Sequence, residues 1–145
     1  MIIKIPLLAR SKKNSQEIRK NWKTGKYFIA QGKLYEQFEK DCKYFLIKYS
    51  DYKINYPINL KCLFFVNDKR RRDLTNLENA IADILVKYKI LKDDNYNILA
   101  GWDGSRIIYR PEQEPEIVIE ITKMEVCNYA KDKKSNSWWD YERIF

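Results

Sequence analysis

One nine-residue segment, Ile58–Val66, constrains the fold of this chain more than any other part of the sequence. It follows Pro57 and consists mainly of apolar residues, several of them β-branched or aromatic; one of its alternating sets of side chains is apolar throughout, and the other is partly apolar, with Leu63 and Phe65. Strands with two apolar faces lie inside a sheet rather than at its edge. The segment therefore predicts a central strand around which the rest of the chain is arranged.

Two segments carry apolar residues at helical spacing and are predicted to pack on that sheet. The first is Lys33–Tyr49, and the second is Leu74–Lys89, which follows the central strand closely. In the second segment the apolar residues form one stripe at about 100° per residue. Asn76, Asn79 and Asp83 fall on the opposite side. The pattern is typical of a helix that buries one face.

Shorter patterns predict the remaining strands. Ile2–Leu8 reads as a first strand that ends in a basic loop. Tyr96–Trp102 and Arg106–Tyr109 flank an Asp-Gly pair, which is a hairpin-type turn signal. Glu116–Lys123 alternates apolar and polar residues, which predicts an edge or half-exposed strand.

The order β-α-β-α-β-β predicts an α+β fold with a mixed sheet and two main helices. Because the chain crosses over a helix between Ile58–Val66 and Tyr96–Trp102, we expect those two strands to be parallel. A chain of 145 residues supports one domain of this size. No apolar run is long enough to span a membrane, so we expect no membrane partner. We also expect a cytoplasmic protein, because the cysteine pattern described below favours free thiols in a reducing compartment.

Charge is distributed unevenly along the chain, which has a net charge of +8. Residues 1–72 contain 18 basic and 6 acidic residues, whereas residues 73–145 contain 10 basic and 14 acidic residues. A basic half indicates an anionic polymer bound at one surface. The stretch from Arg10 to Lys26 also contains Trp22, with Tyr27 next to it, and this mixture suits phosphate contact and base stacking. A solvated loop is the plainer alternative.

The chain contains no histidine, which excludes imidazole acid–base catalysis, Ser-His and Cys-His nucleophile pairs and imidazole metal sites. Any catalysis must rest on carboxylates, lysine, tyrosine or a metal ion. The three cysteines, Cys42, Cys62 and Cys127, are widely spaced. Their odd number favours buried or idle thiols over a disulfide framework or a zinc site.

Basic and acidic residues cluster around the second predicted helix. Three arginines, 70–72, follow the central strand, Asp73 begins the helix, and the acidic pair 93–94 follows it. Carboxylates that hold Mg²⁺ beside arginines that bind phosphates would suit phosphodiester hydrolysis. Asp73 and the acidic pair lie at opposite ends of the helix, some ~24 Å apart. A shared metal site therefore needs the following turn to fold back along the helix, or a second subunit.

Each of these features also has a plainer interpretation. Asp73 could cap the helix, although Thr75 and Glu78 have the spacing of a capping box and could mark its start instead. The segment 93–95 could be an ordinary turn, and the arginines could be solvated. The order of the features along the sequence favours the functional interpretation.

Three blocks of sequence, residues 67–79, Asp83 and residues 92–95, together resemble the RusA family of Holliday junction resolvases. The family shows a basic run, then Asp-x-Asp-Asn-Leu-x-Lys-x-x-x-x-Asp, then an Asp-Asp pair after the helix. The likeness extends to the strands predicted near both ends of the chain and covers roughly residues 1–123. Residues 124–145 would then be an aromatic and basic C-terminal extension, which we expect to pack on the body or on a partner subunit.

The resemblance implies a homodimeric, Mg²⁺-dependent endonuclease, often encoded by phages or prophages, that cuts four-way DNA junctions by paired nicks. Mn²⁺ is a possible substitute metal. By position, Asp73, Asp93 and Asp94 become the metal ligands, and Asp83 becomes a further catalytic carboxylate. Asn76 matches the motif asparagine. A twofold dimer would match a twofold junction.

The resemblance also implies that a basic face holds the branched DNA. The residues expected to bind it are Lys69, Arg70, Arg71 and Arg72 beside the motif, and Arg10, Lys12, Lys13, Lys23 and Lys26 in the N-terminal stretch.

Two positions depart from the family's motif. Thr75 replaces the second aspartate, which removes a strong metal ligand, and Asn79 replaces the lysine, which removes a cation. Glu78 is a nearby carboxylate that could compensate. These departures leave open a junction-binding relative without nuclease activity, or a phage accessory protein that uses the dimeric fold to bind another protein.

Overall fold

The computed structural model describes residues 1–13 and 16–125, and it places seven strands and two α-helices in that part of the chain. In chain order they are β1 (Ile2–Ile5), β2 (Gln16–Lys20), β3 (Tyr27–Gln31), α1 (Lys33–Leu46), β4 (Ile58–Val66), α2 (Leu74–Lys87), β5 (Leu99–Gly101), β6 (Arg106–Tyr109) and β7 (Glu116–Lys123). A short 3-10 helix, Ile47–Tyr49, extends α1. The predicted mixture of one mixed sheet and two main helices is confirmed. The C-terminal extension from residue 126 onwards lies outside the described residues.

β4 is the central strand of the main sheet, as predicted. β7 pairs antiparallel with both β1 and β4, and β5 and β6 pair parallel with the other side of β4. The parallel pairing of β4 with β5 confirms the inference from the helical crossover. β7 buries alternate residues, so it is half-exposed as predicted, but it has a neighbour on each side and is not an edge strand.

The predicted hairpin around Gly104 is wrong, because β5 and β6 lie end to end along the same side of β4. Between β5 and β6, the side chain of Asn59 makes the hydrogen bonds that a strand backbone would otherwise make. The Asp103 N–H donates to Asn59 Oδ1 at 2.8 Å, and Asn59 Nδ2 donates to the Asp103 carbonyl at 3.2 Å. Gly104 has a φ of +84°, which permits a local turn, and after this turn the chain pairs with β4 again as β6.

The N-terminal basic stretch contains a hairpin that the sequence patterns did not predict. β2 and β3 pair antiparallel over five residues each and form a two-stranded sheet of their own. Their connection is closed by hydrogen bonds from Asn21 N–H to the Lys26 carbonyl and from Gly25 N–H to the Asn21 carbonyl. Gly25 has a φ of +71°, which a residue without a side chain adopts readily.

The hydrophobic core lies between one face of the main sheet and both helices. Alternate residues of β1, β4 and β7 meet the apolar faces of α1 and α2, and their burial is the main force that holds these layers together. Burial raises the pKa of the Cys42 thiol to about 12 and raises the pKa of Cys62 as well. Both cysteines are therefore buried, protonated thiols, as predicted, and Cys127 lies outside the described residues.

Within the described part of the chain, neither helix combines the length and the apolarity that crossing a bilayer requires.

Candidate functional site

The N-terminus of α2 holds Asp73 at the end of the basic run that leaves β4. Asp73 is the N-cap residue, with extended backbone angles, and its Oδ1 accepts a hydrogen bond from the Asn76 N–H at 3.3 Å. The helix therefore starts at Leu74, and Thr75 lies within its first turn rather than at a capping box. Asp73 remains exposed to solvent while it caps the helix, so its carboxylate is accessible to a ligand.

The side chain of Arg72 is bound by Asp68 and is mostly buried. Two hydrogen bonds, of 2.7 and 2.9 Å, join its guanidinium group to the two carboxylate oxygens. These bonds, together with one from the Arg70 N–H, hold the pKa of Asp68 near 2. The Arg72 side chain is only 11% exposed. Arg72 therefore shapes the turn between β4 and α2, and the motif alone did not indicate this pairing.

Arg70 and Arg71 differ from Arg72, since both are exposed and neither forms an ion pair with any residue that the structure describes. They line a cavity of about 190 Å³ between the N-terminal segment and the start of α2. Arg10, at the end of the segment after β1, lines the same cavity, and so does Asp73. The structure thus brings together basic residues from two distant parts of the sequence and one predicted metal ligand.

Asp83 and Lys12 were predicted to act separately, but they form an ion pair. The Lys12 Nζ lies 2.6 Å from Asp83 Oδ2, and both side chains are a little more than one-third exposed. The same ammonium group lies 5.9 Å from the centre of the Tyr35 ring. The pair joins the N-terminal segment to α2. In this structure the Lys12 ammonium group and the Asp83 carboxylate are therefore bound to each other.

The acidic pair after α2 lies in an irregular segment, and the backbone turn that follows begins at Asn95. The Asp93 carboxylate accepts hydrogen bonds from the Asp94 N–H at 2.7 Å and from Asn95 Nδ2 at 2.8 Å. These two donors lower the pKa of Asp93, the backbone donor contributing more. Asp93 and Asp94 are both exposed. The turn interpretation therefore fits Asn95 but not Asp93 and Asp94, and the carboxylate of Asp94 remains accessible.

α2 separates the predicted metal ligands within one chain. Asp73 follows the carboxyl end of β4, whereas the backbone before Asp93 pairs beside Ile54, ahead of the amino end of β4. A 14-residue helix spans about 21 Å. Among residues 1–13 and 16–125, no three histidine, cysteine or acidic side chains approach closely enough to hold a metal ion. One copy of the described chain does not therefore bring Asp73 together with Asp93 and Asp94.

Glu78 is the carboxylate that interacts with Asp73 from the next turn of α2. Partial burial raises the pKa of Glu78, the negative charge of Asp73 raises it further, and the Ser105 hydroxyl opposes the rise. The two carboxylates are thus electrostatically coupled at the helix start. Thr75 and Asn79, the two positions that depart from the motif, are exposed on the same helix.

The remaining basic residues of the predicted DNA-binding set lie at the surface. Lys13, Lys23 and Lys26 are exposed, and the Lys69 ammonium group lies 5.6 Å from the centre of the Tyr109 ring. Lys23 and Lys26 belong to the turn of the β2–β3 hairpin rather than to an irregular loop.

No protein-family model matches this sequence, and no significant match is found among curated proteins. The function proposed below therefore rests on the geometry of the chain's own residues and on the motif resemblance described above.

Proposed function

We propose that this protein is a Mg²⁺-dependent, structure-selective endodeoxyribonuclease that resolves four-way DNA junctions by paired nicks, in DNA recombination or repair. The observation that carries the proposal is the cavity shared by Arg10, Arg70 and Arg71 with Asp73 at the N-terminus of α2. Guanidinium groups and a helix N-terminus both attract phosphate. A carboxylate is a ligand type that Mg²⁺ prefers. The resemblance to the RusA family supplies the reaction class.

The basic residues around the cavity have different roles in this proposal. Arg10, Arg70 and Arg71 are available to DNA phosphates, and such contacts orient a protein on nucleic acid without reading its sequence. Arg72 acts indirectly, because Asp68 holds its guanidinium group and thereby fixes the turn that carries the other two arginines.

A metal site that combines Asp73 with Asp93 and Asp94 would require two copies of the chain. Since one copy separates Asp73 from the pair at 93–94, the ligands would have to come from different subunits of a homodimer. Such a dimer would also fit the symmetry of a four-way junction and would make one nick on each side. The proposal includes a cytoplasmic location, which fits the unpaired, buried thiols of Cys42 and Cys62.

The direct test is a nicking assay on a synthetic four-way junction, with wild-type protein and Asp94→Asn, in Mg²⁺, in Mn²⁺ and in EDTA. We expect paired nicks with either metal, none in EDTA and none with Asp94→Asn. Asp51→Asn removes the same charge from the exposed turn after α1 and serves as the matched control. Absence of cleavage by wild-type protein in both metals would disprove the nuclease.

A second candidate is a junction-binding relative that does not cut DNA. Two observations favour it: Thr75 and Asn79 replace charged motif residues, and one chain does not assemble the carboxylates. A gel shift on the same junction distinguishes the two. The binding protein should shift the junction tightly, lose affinity with added salt, leave it intact in every metal and bind equally well as Asp73→Asn.

A further inference from the structure

The β2–β3 hairpin exposes a continuous apolar and aromatic face. Ile18 and Ile29 lie opposite each other across the two strands, and Lys20 lies opposite Tyr27 on the same face. All three of the apolar or aromatic residues are largely exposed, and Trp22 in the turn is 89% exposed. Because isolated two-stranded hairpins are marginally stable and contiguous exposed apolar residues mark interaction surfaces, this face is suited to a partner.

On the opposite face of the hairpin, where Phe28 is also exposed, Arg19 makes a contact with the body of the protein. Arg19 lies on that face, where its guanidinium group donates to the Gln31 carbonyl at 2.8 Å and lies 3.5 Å from the Glu36 carboxylate of α1. This ion pair links the hairpin to the first turn of α1. Trp22, in the turn at the far end of the hairpin, remains exposed to solvent.

Cations lie beside the exposed aromatic rings. The Lys20 ammonium group lies 5.8 Å from the centres of both the Trp22 and Tyr27 rings. Lys23 and Lys26 are exposed in the same turn. Residues 16–31 carry four basic residues and one acidic residue. Aromatic faces combined with positive charge are the features by which proteins bind unpaired bases and their phosphates.

We propose that this hairpin is a stacking element, in which Trp22, supported by Tyr27, stacks on an unpaired DNA base while Lys20, Lys23 and Lys26 contact the flanking phosphates. The inference rests on the proposed DNA-related function and deepens it, since it assigns the recognition of unpaired bases to one element. Charge favours DNA over a second copy of the chain. A symmetric contact between two such hairpins would place Lys20, Lys23 and Lys26 of one against the same three lysines of the other.

The test compares the binding of single-stranded DNA and of duplex DNA of equal length by full-length wild type, Trp22→Ala and Tyr44→Ala at one salt concentration. Tyr44, on α1, is 79% exposed and provides the matched aromatic control. Loss of one base-stacking contact should weaken single-strand binding of Trp22→Ala by roughly 5- to 100-fold. Duplex binding of Trp22→Ala and all binding by Tyr44→Ala should stay at the wild-type level.

A single 2-aminopurine base in the strand reports the stacking itself. We expect wild type and Trp22→Phe to quench its fluorescence and Trp22→Ala to lose most of the quenching. Equal single-strand affinity for wild type and Trp22→Ala would overturn the inference, as would an equal loss on single strand and duplex. A change in sedimentation mass for Trp22→Ala would identify the face as a self-interface instead. Each of these results leaves the junction-nicking test of the proposed function unaffected, so the two can fail separately.

Discussion

Neighbouring arginines in the basic run leaving β4 have different surroundings and therefore different expected roles. Arg71 is exposed at the cavity, whereas the guanidinium group of Arg72 is bound by Asp68. We expect Arg71→Ala to weaken junction binding and to reduce the slope of log affinity against log salt by about 1, with an unchanged melting temperature. Arg72→Ala should lower the melting temperature instead, because it leaves Asp68 without its partner. Salt titrations and thermal melts distinguish the two, and identical behaviour of both variants would contradict the assignment.

The Asp68 carboxylate should make stability depend on acidity. Its pKa falls from 3.8 to about 2 because Arg72 and the Arg70 N–H stabilise the charged form. A depressed folded-state pKa contributes stability above the ordinary pKa and loses it as the pH falls towards the folded value. We therefore expect the melting temperature of wild type to exceed that of Asp68→Asn by a constant amount above about pH 5, and the difference to shrink as the pH falls through about 2 and to vanish at about pH 1.

Asp51→Asn, which removes an exposed carboxylate elsewhere, controls for general charge effects in these melts. A difference in melting temperature between wild type and Asp68→Asn that stayed constant down to about pH 1 would show that the charged Asp68–Arg72 pair does not stabilise the folded state.

Among the secondary-structure elements, the interruption between β5 and β6 depends on one side chain. Asn59 pairs with both backbone groups of Asp103 and so continues the hydrogen bonding of β4 across the gap. Asn59→Ala should lower the free energy of unfolding by about 1 kcal/mol, since both groups lose a partner at a partly exposed site. Urea denaturation measures this, with Lys4→Ala, at an exposed position of β1, as the control. Equal stability of Asn59→Ala and wild type would refute the bridging role.

The elements that were predicted correctly are those that bury apolar residues at a regular spacing. β4 and α2 have long patterns with a period of two or 3.6 residues, so their bounds follow from the sequence within a few positions. β2 and β3 expose most of their residues, and without a buried face they carry no alternation that predicts a strand. The Asp-Gly turn was misread because turn chemistry indicates a reversal locally but does not identify the strand with which each side pairs.

The candidate site was predicted in part for a related reason. The motif located Asp73, the arginines and the acidic pair along the chain. The Arg72–Asp68 bond, the Lys12–Asp83 ion pair and the position of Arg10 depend on the folded arrangement of segments, which spacing alone does not determine.

At the scale of the whole molecule, the separation of the carboxylates gives a test of the proposed dimer. If Asp73 of one copy works with Asp94 of another, a mixture of the inactive variants Asp73→Asn and Asp94→Asn forms some dimers with one intact site. Random exchange makes about half of the dimers mixed, and one of their two sites is intact, so about one-quarter of wild-type nicking should return. The products should be mainly single nicks.

Each variant incubated alone provides the control for this mixing experiment. Continued inactivity of the mixture, with exchange of subunits verified by a mass-tagged partner, would place all ligands of a site in one chain and contradict the shared arrangement.

The position of α2 between Asp73 and the pair at 93–94 also affects how activity would vary with the amount of protein. In a nuclease that builds each site from two chains, an isolated chain leaving the ribosome carries only halves of sites and cannot nick DNA. Below the dissociation constant of the dimer, the cutting rate would rise with the square of protein concentration. Chromosomes would be spared at low expression, and cleavage would begin sharply once enough copies had accumulated.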